Sequence, residues 1–146
     1  MGWFSKLMGG SLVSAAKAGD VAKVRELLDK GGDPNEKEYG FSPLMFACER
    51  GNLELVRLLI GRGADVNARD PGLALTPLMA AASGKGFPDG LQREILGLEI
   101  VTLLVQHGAD VNAVGKKGHT ARGFAAESQH ARIVAFLDEQ GATETR

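Results

Sequence analysis

The chain has 146 residues, 44% of them hydrophobic, with 17 lysines and arginines against 18 aspartates and glutamates for a net charge of −1. That is apolar material enough for one continuous core, and the balanced charge, with no long run of either sign, argues against a nucleic-acid partner. The single cysteine, Cys48, leaves no disulfide framework and permits a reducing compartment; it falls in a row of small residues and reads as a buried structural thiol.

The N-terminal stretch, MGWFSKLMGG, places Trp3, Phe4, Leu7 and Met8 at helical spacing before a Gly-Gly break. The apolar stretch is too short for a signal peptide and lacks the small-residue cleavage site. Lys6 fails the myristoylation pattern, which needs Ser or Thr there. Segment 1–10 is expected to fold as an amphipathic cap over the open apolar edge of the unit that follows. The alternative is a short amphipathic segment resting on a membrane.

Beyond it the chain repeats. GADVNA occurs at Gly63 and again at Gly108, a weaker GGDPN begins at Gly31, and GAT begins at Gly141. The steps from Asn35 to Asn67 and from Gly108 to Gly141 give a period of roughly 33 residues, which means stacked units that bury their apolar faces only against one another. Ser42-Pro43-Leu44 and Thr76-Pro77-Leu78 each set a hydroxyl residue at the N-cap and Pro at the first helical position. Small residues follow in Phe46-Ala47-Cys48 and Ala80-Ala81-Ala82, letting copies of this first helix approach closely. A second helix carries a stripe in each unit: Val21, Val24, Leu27, Leu28; Leu53, Val56, Leu59, Ile60; Leu98, Val101, Leu104, Val105; Ile133, Val134, Leu137. Gly31, Gly63, Gly108 and Gly141 close these helices, where the last turn needs a positive φ. A polar stretch of hairpin length leads to the next unit.

The step from Gly63 to Gly108 is longer than the others. In the second unit the stripe opens at Leu53, soon after the cap at Ser42; in the third it opens at Leu98, twice as far beyond Thr76. An insertion of about 11 residues therefore separates the two helices of the third unit, and it is either a surface loop whose length costs little or a contact element. The segment GKGFPDGLQREIL, Gly84 to Leu96, predicts a loop at Lys85 to Asp89. A capping box of Asp89 and Gln92 and a stripe extended backward through Leu91 and Ile95 predict a second helix longer by about two turns. Phe87, an aromatic expected at an exposed tip, favours contact.

Ser42 to Arg69, SPLMFACERGNLELVRLLIGRGADVNAR, resembles an ankyrin repeat nearly position for position, and the resemblance extends over about Ser11 to Thr143. It implies an all-α solenoid of helix-turn-helix units joined by β-hairpin-like loops, with repeats at about 11–37, 38–69, 70–114 and 115–143 in a domain spanning 11–146. The last repeat departs from the family: Thr120-Ala121-Arg122-Gly123 stands where Thr-Pro-Leu-His is usual, which suits a polar end cap.

No catalytic pattern emerges. His107, His119 and His130 fit no metal-ligand spacing, GKKGHT and SGKGF lack the phosphate-loop spacing, and GxSxG is absent. The chain is therefore read as non-enzymatic, using no cofactor or metal; the resemblance implies a protein that binds another protein, as inhibitor, immunity protein or adaptor, and it is expected to be cytoplasmic and monomeric. The resemblance implies that hairpin tips and the exposed face of first helices bind the partner. Carried over by position, these are Glu38, Tyr39 and Phe41; Leu73 and Leu75; Lys117 and His119 at the tips; and Glu49 and Arg50, then Ser83 and Gly84, on the helices. Phe87 joins them, and the apolar members would form a strip flanked by charge. A membrane-peripheral or structural accessory protein, targeted by the N-terminal segment, is the alternative.

Overall fold

The computed structural model describes residues 10–90 and 92–142. Among them, eight helices run in pairs: α1 (Leu12–Ala18) and α2 (Val21–Asp29), α3 (Pro43–Arg50) and α4 (Leu53–Gly61), α5 (Pro77–Ser83) and α6 (Gln92–Gln106), α7 (Ala121–Glu127) and α8 (Ala131–Glu139). First helices pack on first helices and second on second, giving the all-α solenoid that the sequence predicts. The loops between pairs hold no described strand; a single isolated bridge joins Glu38 and Phe41. The N-terminal stripe of Trp3, Phe4, Leu7 and Met8 lies outside the described residues. Among those described, no helix is long and apolar enough to cross a membrane.

Each first helix starts on a hydroxyl cap. Ser11, Ser42, Thr76 and Thr120 accept from the amides of Ser14, Met45, Met79 and Gly123 at 2.9, 3.3, 3.3 and 3.0 Å. These bonds satisfy amides that a helix start otherwise leaves orphaned, each worth about 1 kcal/mol. Second helices begin on Asp20 and Asn52, whose side chains accept from Lys23 and Leu55 amides at 3.0 and 3.1 Å. All four closing glycines adopt positive φ: 92° at Gly31, 92° at Gly63, 93° at Gly108 and 89° at Gly141.

The repetition of GADVNA has a structural cause. The Asn35 side-chain amide donates to the Gly63 carbonyl at 3.0 Å while its Oδ1 accepts from the Asp65 amide at 2.7 Å. Asn67 does the same one unit on, to Gly108 at 3.1 Å and from Asp110 at 2.8 Å. Asn112 reaches the Gly141 carbonyl at 3.1 Å. Each loop thus reads the backbone of the next, so the glycine, aspartate and asparagine recur as a set. The ladder keeps its geometry across the longer step to Gly108, so the insertion leaves the stack in register.

The core runs as one cluster. Leu44, Ala47, Cys48, Leu55, Val56, Leu59, Leu78, Ala81, Ala82, Ile100, Val101, Leu104, Ile133 and Leu137 are each at most 1% exposed. The small-residue row lets α3, α5 and α7 pack closely, with α5 central. In the last unit Arg122 stands where Leu44 and Leu78 are buried. It is only half-buried and pairs with Asp138, Nε to Oδ1 at 2.6 Å and Nη2 to Oδ2 at 3.3 Å. A charged residue is tolerated there because its side chain stays partly in solvent and its guanidinium is paired.

The insertion forms a loop and then α6, which has 15 residues where α4 has nine. Three expectations about it need correction. Phe87 is no exposed tip: it is 4% exposed, and its ring packs so closely on Gly51 that a Cβ added there would lie 2.8 Å away. Gly97 of α6 passes the same ring, where a Cβ would sit 3.6 Å from it and 3.0 Å from Ile133. A bulky apolar ring beside glycines gains more from filling their vacant volume than from facing water. Asp89 is no helix cap, since α6 starts at Gln92; its carboxylate pairs instead with the Arg93 guanidinium, which also donates to the Phe87 carbonyl at 3.2 Å. Ile95 does not extend the buried stripe, being 43% exposed; Gly97 and Ile100 take the buried side of the helix. Leu91 lies outside the described residues.

The lengthened α6 also serves its successor. His130 stands at the N-cap of α8 and makes no capping bond there; its Nδ1 lies 3.1 Å from the Ala82 carbonyl instead. Glu94, in the added turns of α6, accepts from the Arg132 amide at 2.6 Å and supplies the missing acceptor at α8. Ser128 Oγ donates to the Ser83 carbonyl at 2.9 Å. The inserted segment thus ties the second, third and fourth units together.

Candidate functional site

Three first helices, three hairpin tips and the inserted loop enclose a groove of about 420 Å³. Its floor comes from the helices: Met45 of α3, Met79 and Ala80 of α5, Phe124 of α7. Met45 and Met79 occupy the same offset from their hydroxyl caps, as do Ala80 and Phe124 one position further on, so stacking brings equivalent positions side by side. Tip residues Phe41, Leu73, Leu75 and His119 form one rim. Glu49, at the far end of α3, and Lys85 and Gly86 of the insertion form the other. Gly86 is required here: its backbone comes so near the Glu49 carbonyl that a Cβ would lie 2.2 Å from that oxygen.

Of the residues singled out from sequence, Phe41, Glu49, Leu73, Leu75, Ser83 and His119 meet at this groove. Ser83 and Gly84 were expected on an exposed helix face and are buried, Ser83 at 8% exposure. The insertion folds back over the end of α5 and α7 packs beside it, as the Ser128 bond to the Ser83 carbonyl marks. Tyr39, 88% exposed with φ 52°, stands away from the groove. Arg50 is exposed and does not line it either. Glu38 is tied back to the preceding unit, accepting from the Ser11 hydroxyl, and bridges to Phe41 within its own. Lys117 lines a neighbouring polar recess of about 310 Å³ with Glu127, sharing His119 and Phe124 with the main groove. Phe87 lies beneath the insertion, packed on Gly51, rather than on its surface.

Met45, Met79, Ala80, Phe124, Lys85 and Asp70 were missed from sequence. The repeat offsets could have found the first four, because they sit on the turn of the first helix that faces neither the second helix nor solvent alone. Nothing local marks Asp70 or Lys85, whose places depend on the hairpin and on the folded insertion.

Aromatic contacts set the surface. The Phe41 and Phe46 rings lie 5.6 Å apart at 38°, with Lys17 Nζ 5.8 Å from the Phe46 centroid. His119 stacks on Phe124 at 4.9 Å and 9°, and Lys85 Nζ lies 5.9 Å from the Phe124 centroid. The Asp70 Oδ1 accepts from the amides of Gly72 and Leu73, 2.8 Å each, which fixes a carboxylate at the tip. Glu49 is exposed and forms no ion pair among the described residues. Cys48 lies behind the floor, fully buried, and burial pushes its thiol far above the ordinary range, so it carries no thiolate near neutral pH. Among the described residues no three His, Cys, Asp or Glu side chains gather where they could hold a metal. The arrangement is one that desolvates apolar side chains between charged rims.

Residues 11–70 match the family model described as ankyrin repeats (3 copies), and residues 75–116 match that described as ankyrin repeat. The matches stop before α7 and α8, the pair in which Arg122 departs from the pattern. No curated protein matches the chain.

Proposed function

The chain belongs to the ankyrin repeat family, whose members are generally protein–protein interaction modules, and we propose that it acts as a non-enzymatic binder that holds a partner protein in the groove between its tips and its insertion. One observation carries this reading: a concave apolar surface of about 420 Å³, built jointly by three units and the inserted loop and edged by Glu49, Asp70 and Lys85. Buried apolar floors with polar rims are how affinity and exclusion of water are combined at protein interfaces. Inhibition, immunity against a toxin, or adaptor function all amount to such occupancy. The protein works as a cytoplasmic monomer, needs no cofactor, and its balanced charge gives nucleic acid no footing.

The test is capture from the native source with full-length chain and with Ala80→Arg, which sets a long charged side chain on the half-exposed groove floor. A protein retained by the parent and lost from the variant, with both giving the same circular dichroism, supports the groove. Equal retention by both refutes it.

A further inference from the structure

Resting on that reading of the groove, we propose that its occupant is a chain segment in which a bulky apolar side chain stands next to a lysine or arginine. Shape is the first ground. A cavity of about 420 Å³ falls in the range that encloses a small ligand or a few side chains, roughly 300–1,000 Å³. A flat domain face would leave it unfilled. The half-exposed lining of Ala80, Phe124, Leu73 and Leu75 is apolar, and the Met45 and Met79 side chains buried beneath it are flexible enough to adapt to a ring or branched chain laid above.

Charge is the second ground. The groove presents two carboxylates, Glu49 and Asp70, against one ammonium, Lys85. Lys85 is already directed over the Phe124 ring, whereas Glu49 has no ion-pair partner among the described residues. Asp70 is held in place by two backbone amides and cannot swing away without losing them. An acidic side chain flanking the anchor would meet like charge beside a desolvated floor, and a basic one would meet its complement. First helices of seven or eight residues set the rims about 10–12 Å apart at about 1.5 Å per residue. A long basic side chain beside an anchor on the floor reaches either carboxylate across half that span.

Random heptapeptides displayed on phage and selected on the immobilised full-length chain test this. The expected result is enrichment of Phe, Leu, Met or Trp next to Lys or Arg, with Asp and Glu depleted at the same places. A fluorescein-labelled copy of the most enriched peptide should bind Glu49→Arg about tenfold more weakly than the parent, and a selection on Glu49→Arg should lose the basic preference. Glu49 is exposed on the last turn of α3, so the variant keeps the fold, which circular dichroism verifies. No enrichment, enrichment without a basic neighbour, or equal binding by the variant overturns the proposal. None of these touches the broader reading, which stands or falls on capture by Ala80→Arg.

Discussion

Replacing Phe87 by Ala should be among the most damaging single changes to the stack. The ring is 4% exposed, and its near neighbours include Gly51, Gly84 and Gly97. Phe→Ala in a core costs about 3–5 kcal/mol, the larger values arising where surrounding side chains cannot move in. Glycines have none to move, so about 4 kcal/mol is expected, a fall of about 10–15 °C in Tm at this chain length. A double-mutant cycle with Gly51→Ala isolates the contact. In the parent, alanine at 51 suffers a backbone at φ 70° and a Cβ 2.8 Å from the Phe87 ring. The first costs about 1–2 kcal/mol and the second about 1–3 kcal/mol more. In the Phe87→Ala background only the backbone part remains. Urea unfolding followed by circular dichroism gives all four stabilities. Equal cost of Gly51→Ala in both backgrounds, or a Tm unchanged by Phe87→Ala, would refute the account of the insertion as an anchored strut.

Gly63→Val should cost about 1–3 kcal/mol through its φ of 92° alone, because a Cβ there meets nothing within 4 Å; Gly63→Asn should cost less, and an unshifted melting curve for the valine variant contradicts the assigned helix end. Cys48 should react with a thiol reagent only at the rate of global opening, so rapid labelling of the native protein contradicts its burial. The Arg122 hydrogen bond holds the Asp138 carboxyl below the ordinary carboxylate range, so its contribution is fully present above about pH 4 and fades as pH falls further. Urea midpoints of parent and Asp138→Asn should accordingly differ near neutral pH and converge only as pH falls below the ordinary carboxylate range, whereas a constant gap contradicts the pairing.

Much of the fold was legible because each repeat writes its boundaries locally. Ser42-Pro43 and Thr76-Pro77 announce helix starts, and Gly63 and Gly108 announce helix ends, through backbone needs that do not depend on the rest of the molecule. The insertion's length and the added turns of α6 followed from counting. What Phe87 does was not legible, because an aromatic in a Gly-rich loop reads as exposed until Gly51, in the preceding unit, is known to leave a space for it. For the same reason Glu94 gave no sign that it would cap the distant helix α8. At the groove, alignment of repeats found Phe41, Leu73, Leu75 and His119, whereas Tyr39 at an equivalent tip turned outward on a positive φ. Ser83 was misjudged because the insertion and α7 cover a helix end that ordinary repeats leave open.

The most direct test of the groove as docking surface is amide hydrogen exchange on the full-length chain, alone and bound to the partner that capture isolates. Amides of Phe41, Leu73 to Leu75, Lys85, Gly86 and His119 should slow on binding, while the solvent faces of α2, α4 and α8 keep their rates. Slowing confined to those second helices, with the groove amides unchanged, would place the partner on the opposite face and contradict the account.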